Sequence, residues 1–420
     1  MKQYSMLETK VGKVAFGVFL FVMLLLARDT LITSCVLGFT KSQFLMLGLI
    51  CLFGVAFLLV NRHQLKEILT DRRMILILVS SVILLMPMAA KRDWQMMYFS
   101  VLICLFFAVF VSYFSTLRET ASCYVLALTA LCLYSLVTMY ILKGIALDGK
   151  LRVPYVYNSV GGQFYNFGLA FVVPDKFWHR NYGIFREPGV YQYFLILGLY
   201  LNHYALIWRK NWQMWLVSGI LAVTMLSTFA VGGFIEMGLF VVFLYFDRKY
   251  YRTKFGKWFG VGAVVAAVAA VGALLAIFRT QAFGTTVFYE IYDMFLRLTT
   301  KSNSLVDRLG AIFANLSLFL KSPLVGDTVA NVLHGTTHNT SSTLILFAMF
   351  GVAGGILNVA AWFALAWKKE RCIIGNLLLL LIFFMSFNTQ NLVADVFFWL
   401  FPYMALTERG LPLLEKRKRK

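Results

Sequence analysis

Charged residues are scarce in this sequence, and acidic ones especially so. Only 14% of the 420 residues are charged and just 19 are acidic, whereas 60% are hydrophobic. A soluble domain is usually about 45–50% apolar and about 25% charged. The composition therefore excludes an ordinary soluble protein. It predicts an all-α, polytopic transmembrane helical protein in which residues 1–420 form a single transmembrane domain.

Several catalytic motifs are also absent. The sequence contains no Asp-X-Asp pair, no Walker motif, no His-Glu-X-X-His and no Gly-X-Ser-X-Gly. It thus lacks a carboxylate pair spaced to hold a metal-bound sugar nucleotide. Its six cysteines fall in or beside apolar runs without metal-ligand spacing, and we interpret them as small hydrophobic residues. We predict neither a metal nor a cofactor.

Apolar runs of roughly 16–25 residues predict about twelve membrane spans. Arg28 and Asp29 interrupt the first run, which resumes at Thr30, and only Gly232–Gly233 separates the seventh from the eighth. The approximate bounds are 12–28, 43–60, 74–90, 95–114, 121–142, 188–207, 212–229, 232–246, 258–278, 341–367, 372–388 and 391–406.

The net charge of +20 comes mainly from Lys and Arg in short segments between these runs. That distribution is the topology signal of a membrane protein, and we predict no nucleic-acid partner. It favours cytoplasmic termini, with a basic tail at Lys416–Lys420 attracted to anionic lipid. Two long extracytoplasmic loops follow, at 143–187 and 279–340, and both carry basic residues. We expect short amphipathic helices in these loops, at Thr285–Leu298 and Ser304–Leu320 in the second.

One stretch, His179–Phe194, gathers Arg180, Arg186 and Glu187 directly before an apolar run. Pro188 is well placed in the first turn of a helix, so Glu187 should lie at the mouth of that helix with both arginines in the preceding loop. Arginines near a helix N-terminus form a plausible anion site at a membrane surface. The alternative is that they only anchor the helix at the lipid headgroups.

Three further residues are candidates for the same chemistry. His338 precedes the tenth predicted span. Histidine is the side chain whose unperturbed charge change falls near neutrality, so this residue can act as a base or hold a phosphate. Asn339 adjoins it, and the alternative for this pair is a helix cap beside a polar loop residue. Arg308 can reach a pyrophosphate or simply pair with Asp307.

Two acids, Glu236 and Asp395, lie inside predicted spans. Ionisable residues within a membrane are costly and therefore mark candidate functional sites. Two such acids also suit an ion-coupled carrier, so they favour a transporter as the alternative function.

Three motifs together resemble the bacterial O-antigen and capsular polysaccharide polymerase and O-antigen ligase superfamily. They are NYGIFREPGVYQYFL from Asn181, DRLGAIFANLSLFLKSPLVGD from Asp307, and His338–Asn339 ahead of the glycine-rich Gly351–Gly355. The family often has a Ser-Arg pair near the start of a span after the first long loop. The corresponding place here is Leu226–Gly233, which has no arginine.

The resemblance implies a GT-C-like fold and an inverting, metal-independent glycosyltransferase. It implies a polymerase in the bacterial inner membrane, with its active site facing the periplasm. Its partners would be undecaprenyl-pyrophosphate-linked oligosaccharides, membrane lipid and, in some systems, a chain-length regulator. Arg180, Arg186 and Arg308 match the family's loop arginines, His338 matches its loop histidine, and Glu187 becomes a candidate from the Glu-Pro motif.

Two other functions remain open from sequence. An O-antigen ligase would share the fold and transfer polymer to the lipid A core in lipopolysaccharide biosynthesis. A flippase or other transporter of lipid-linked oligosaccharide would use the many spans and the two acids inside predicted spans. The lack of internal repeats and the two long loops argue against the transporter.

Overall fold

The computed structural model describes residues 10–60, 62–64, 66, 71–158, 161–175, 180–204, 211–247, 303–334, 339–369, 371–388 and 390–418. These residues are mostly helical. Five helices are long and apolar enough to cross a membrane, which supports the predicted membrane-protein class. They are Thr40–Val60, Arg73–Lys91, Met96–Tyr113, Leu117–Leu147 and Ser342–Ala366.

The α-helices are α1 Lys10–Leu25, α2 Phe39–Val60, α3 Arg72–Lys91, α4 Met96–Phe114, α5 Leu117–Val137, α6 Lys143–Leu147, α7 Pro188–Tyr204, α8 Asn211–Ser227, α9 Val231–Phe246, α10 Asn303–Lys321, α11 Val329–His334, α12 Ser342–Ala366, α13 Ile373–Asn388 and α14 Val396–Lys418. Short π-helical turns lie at Ile32–Val36 and Thr138–Leu142, and a 3-10 turn at Arg62–Gln64. Helices thus occupy eleven predicted apolar segments. The segment 258–278 and the predicted helix Thr285–Leu298 lie outside the described residues.

A small antiparallel sheet lies within the first predicted loop, where short amphipathic helices were expected. Its strands, in the order β1-β2-β3, are Tyr155–Tyr157, Gln163–Asn166 and Phe171–Val172. Alternating aromatic and β-branched residues favour strands. Gly161 and Gly168, with φ of 80° and 86°, supply the positive φ that the two turns require.

Helix α7 forms the centre of the bundle. Every residue from Val190 to His203 is buried. Three tyrosine hydroxyls tie it to its neighbours: Tyr124 of α5 donates to the carbonyl of Phe194 at 3.0 Å, Tyr193 donates to Phe397 at 3.3 Å, and Tyr200 donates to Leu365 at 2.7 Å. A helix that is apolar and buried on all sides belongs to the interior of a bundle.

Helix α12 is broken at Gly351, where φ is 65° and ψ is −166°. In an intact helix the amide of Val352 would bond to the carbonyl of Ala348. Instead Val352 donates to the carbonyl of Pro323, and Ala348 accepts from the amide of Asp327, both at 2.7 Å. The turn 323–327 therefore satisfies both groups that the break releases, as an apolar environment requires.

Helix α10, Asn303–Lys321, agrees with the amphipathic helix expected at Ser304–Leu320. It packs on α12. Phe313 and Leu320 on its other side are each 67% exposed, and Leu324 just beyond it is 74% exposed. The helix thus presents one apolar face to α12 and leaves apolar side chains free for lipid.

Candidate functional site

Helix α7 begins at Pro188, as the sequence predicted. The amide of Tyr191 bonds to the carbonyl of Glu187, so Glu187 occupies the capping position just before the helix. Its side chain is 54% exposed. A carboxylate at this position is favoured by the helix dipole and remains accessible to a ligand.

Arg186 lies beside an acid that sequence reasoning had not paired with it. Its Nε is 3.1 Å from Oδ1 of Asp29 and 3.9 Å from Oε1 of Glu187. The contact with Asp29 is an ion pair, because its angle falls outside that of a hydrogen bond. The side chain of Asp29 is 5% exposed and that of Arg186 is 37% exposed. The guanidinium therefore contacts a buried carboxylate while part of the Arg186 side chain stays exposed.

Backbone pairing fixes this arrangement. Thr30 and Phe185 form an antiparallel bridge, the amide of Leu31 bonds to Ile184 at 2.7 Å, and the amide of Arg186 bonds to Asp29 at 2.9 Å. A small second core of Leu31, Phe164, Phe171 and Tyr182 packs beneath it. The loop before α7 is thereby attached to the chain after α1.

Arg180 lies at the junction between α8 and α9. Its Nε donates to the carbonyl of Thr228 at 3.3 Å. Next to it, the amide of Asn181 donates to the carbonyl of Ser227, and its side chain donates to Ser227 Oγ at 3.0 Å. Gln192 of α7 donates to Thr228 Oγ1 at 3.0 Å. Arg180 of the neighbouring loop thus contacts the segment Leu226–Gly233.

The N-termini of α7 and α12 meet the connection that precedes α14. A Cβ on Gly189 would lie 2.5 Å from Gln390 Nε2, so the start of α7 lies directly against the side chain of Gln390. Ser342 donates to the carbonyl of Gln390 and accepts from the amide of Leu392 at 2.8 Å. Two helix N-termini and the arginines of the α7 loop therefore lie at the same end of the bundle, which favours an anion.

The two predicted intramembrane acids are both buried. Asp395 is fully buried; it caps α14 by accepting from the amide of Phe397 at 2.8 Å, and its carboxylate also lies against the backbone of Arg28. Glu236 is 2% exposed and faces Ser386 of α13. Each acid retains one carboxylate oxygen without a hydrogen-bond partner among the described residues, but the other oxygen of Asp395 serves as a helix cap.

Asn339 pairs with Asn315 on α10. Each side-chain amide donates to the other's oxygen, at 2.8 and 3.0 Å, and Asn339 also donates to the carbonyl of Val332 at 2.6 Å. Asn315 is 1% exposed. Asn339, expected to contact substrate, uses both ends of its amide to hold α10 against the approach to α12.

Replacing either Asn315 or Asn339 by alanine is expected to lower the free energy of unfolding by about 1–3 kcal/mol, because the remaining amide is left unpaired. The double variant should lose less than the sum of the single losses. Chemical unfolding in detergent measures all three. Asn331→Ala, at an exposed position, is the control and should change stability by less than about 0.5 kcal/mol. Strictly additive losses would show that the two amides do not interact.

The remaining predicted site residues are only partly covered. His338 lies outside the described residues, and Arg308 lies on α10 with its side chain outside them as well. In the loop before α7, Arg186 lies beside Glu187, whereas Arg180 contacts the α8–α9 junction. Whether His338 and Arg308 join them stays a prediction.

The aromatic residues of the first loop separate into two groups. Phe164, Tyr165 and Tyr182 are buried at 4%, 7% and 9% exposure, so they belong to the interior. Tyr155 and Tyr157 point outward from β1 and are 46% and 61% exposed. Among the described tyrosines of this loop, Tyr155 and Tyr157 are therefore the ones open to a sugar ring or to a membrane interface.

Sequence reasoning missed Asp29 as the partner of Arg186. The signal was present, since Arg28 and Asp29 interrupt the first apolar run. An acid inside such a run needs a partner. The sequence alone gave no reason to choose Arg186, which lies far away in the chain, as that partner.

Comparisons with family models, curated proteins and solved structures found no match to this chain, so its membership of the polysaccharide polymerase and ligase superfamily stays a prediction from its motifs.

Proposed function

We propose that this chain is a polysaccharide polymerase that joins undecaprenyl-pyrophosphate-linked oligosaccharide repeats of an O-antigen or capsule. One observation supports this most: Arg186, paired with buried Asp29, keeps over a third of its side chain exposed beside Glu187 at the start of α7. An exposed guanidinium and carboxylate at a helix N-terminus suit a reaction that expels a pyrophosphate and accepts a proton.

The proposed reaction is a single inverting displacement. A hydroxyl oxygen of the acceptor sugar attacks the anomeric carbon of the donor, and the bond from that carbon to the pyrophosphate oxygen breaks. The hydroxyl proton passes to Glu187 or His338, and the electron pair of the broken bond leaves with the lipid pyrophosphate. Arg186, together with Arg180 and Arg308, offsets the charge of the leaving group, so no metal is required.

Because the proposed substrates are anchored in lipid, the site would lie at a membrane surface. About twelve spans with cytoplasmic termini would direct the long loops to the periplasm of a bacterial inner membrane, where lipid-linked repeats are presented without nucleotide sugars. The lipid tails would lie among the apolar helices and the sugars beneath the loops. Tyr155 and Tyr157 are the described loop aromatics exposed enough to stack on a sugar.

Incubation of the purified protein in liposomes with a defined lipid-linked repeat tests the proposal. We expect a ladder of longer lipid-linked chains, unaffected by EDTA. A product attached to lipid A core would instead identify a ligase, which the same site chemistry allows. If the protein transfers sugar neither to a second lipid-linked repeat nor to lipid A core, the proposal is overturned.

A transporter of lipid-linked oligosaccharide is the second candidate, favoured by the buried carboxylate of Glu236. The same liposomes distinguish it. Supplying substrate only on the side facing the long loops allows polymerisation without transport. Movement of labelled substrate across the bilayer without chain growth, and its loss in Glu236→Gln, would favour the transporter.

A further inference from the structure

Asp29 is a buried acid with an interaction that the proposed reaction does not itself require. It lies just after α1, its side chain is 5% exposed, and its Oδ2 has no hydrogen-bond partner among the described residues. A carboxylate is costly to bury unless it is paired. Its one close cation among those residues is the guanidinium of Arg186, 3.1 Å away.

The contacts of the Arg186 guanidinium differ between its Nε and its two terminal nitrogens. Nε of Arg186 faces Asp29, and no described residue accepts a hydrogen bond from its terminal nitrogens. Those two nitrogens form the fork that binds a phosphate or carboxylate in bidentate fashion. The carboxylate therefore holds the guanidinium by charge at its Nε and leaves the two terminal nitrogens available to a ligand.

Backbone hydrogen bonds fix the position of the chain around Asp29. The amide of Arg186 bonds to the carbonyl of Asp29, and Thr30 pairs with Phe185. From behind, the fully buried carboxylate of Asp395 lies against the backbone of Arg28 and caps α14. The Arg28–Asp29 turn is thus held by α14 on one side and by the loop before α7 on the other.

We infer that Asp29 is a positioning residue that orients the guanidinium of Arg186 toward the pyrophosphate of a lipid-linked sugar. This inference rests on the proposed function. Asp29 touches no reacting atom; it fixes the rotamer of the side chain that does. Positioning of this kind acts mainly on turnover, because the additional negative charge on the leaving oxygen begins to develop in the transition state, as the bond breaks.

The test is a double-mutant cycle on chain extension in the liposome assay. Asp29→Asn keeps the shape and removes the charge, and we expect turnover to fall about 10-fold with KM changed less than about threefold. Asp29→Glu should restore part of the loss. In an Arg186→Lys background, which keeps the charge but lacks the fork, Asp29→Asn should lower turnover less than about twofold.

Asp71→Asn is the matched control. Asp71 pairs with Arg73 at 2.7 Å and caps α3, so its loss should affect stability while leaving KM and turnover within about twofold of the wild type. Thermal unfolding of every variant separates loss of fold from loss of positioning. If Asp29→Asn does not fold, Asp29→Glu provides the test, because a longer side chain shifts the guanidinium and should lower turnover at unchanged stability.

The outcomes separate the two proposals. A wild-type protein that transfers no sugar overturns the proposed function itself. An active wild type together with a folded Asp29→Asn, or Asp29→Glu in its place, of unchanged turnover overturns only the role of Asp29. So does an Asp29→Asn loss of equal size in the wild-type and Arg186→Lys backgrounds.

Discussion

Arg186→Ala is expected to abolish long-chain polymer, lowering turnover by about 10²–10³-fold, as removal of one preorganised donor to a developing anion does. The side chain is 37% exposed, but its loss leaves the buried carboxylate of Asp29 without its cation, so we expect the variant to be less stable as well as less active. The products of a defined lipid-linked repeat, separated by gel electrophoresis, measure the effect, and thermal unfolding in detergent checks the fold.

Arg152→Ala is the matched control for this experiment. Arg152 lies in the same predicted loop and is exposed, but it is distant in sequence from the start of α7. We expect its chain lengths and turnover to match those of the wild type within about twofold, because an exposed charge with no ion-pair partner among the described residues contributes little at physiological salt. Full-length polymer from Arg186→Ala, or equal losses in both variants, would argue against a specific contact between Arg186 and pyrophosphate.

Gly351→Ala is expected to cost about 3 kcal/mol or more of stability, the second large effect. At φ 65° and ψ −166°, Gly351 occupies a region essentially restricted to glycine, and an added Cβ would overlap the carbonyl oxygen of Leu324. Relief would require separating the turn 323–327 from α12, which strands the amide of Val352 and the carbonyl of Ala348. Thermal or chemical unfolding in detergent measures the loss.

Gly238→Ala provides the control for Gly351→Ala. Gly238 lies inside α9, and a Cβ there would meet nothing within 4 Å. We expect stability to stay the same or rise by about 0.5–1 kcal/mol, since alanine favours a helix over glycine. A Gly351→Ala protein as stable as the Gly238→Ala variant would show that the break in α12 is not held by the turn 323–327.

The sequence predicted features that neighbouring residues specify, and it did not predict contacts between residues far apart in the chain. The start of α7 at Pro188 followed from the fixed φ of proline and its missing amide donor, and the helix Asn303–Lys321 followed from apolar residues at helical spacing. Both signals lie within a few residues of the feature they specify. The sheet at Tyr155–Val172 was missed, because its strands are only two to four residues long and its loop was assigned by position alone.

Contacts between residues far apart in the chain were not predicted from the sequence. The glycine-rich run Gly351–Gly355 was noticed as a family motif, but nothing in it indicated that Gly351 faces the turn after α10. Likewise Asn339 was expected to bind substrate, and its partner Asn315 lies on another helix. A polar side chain in sequence shows its chemistry without showing which group satisfies it.

The sequence by itself determined that this is a helical membrane protein and where most of its described helices lie, because apolar runs, proline and charge act over short stretches of chain. It also indicated the loop before α7 as a charged candidate site. Only the tertiary structure decided that Asp29 pairs with Arg186, that Arg180 reaches the α8–α9 junction, and that α12 exchanges backbone hydrogen bonds with the turn 323–327. Those contacts join residues far apart in the chain, and they depend on how the helices pack rather than on any local preference.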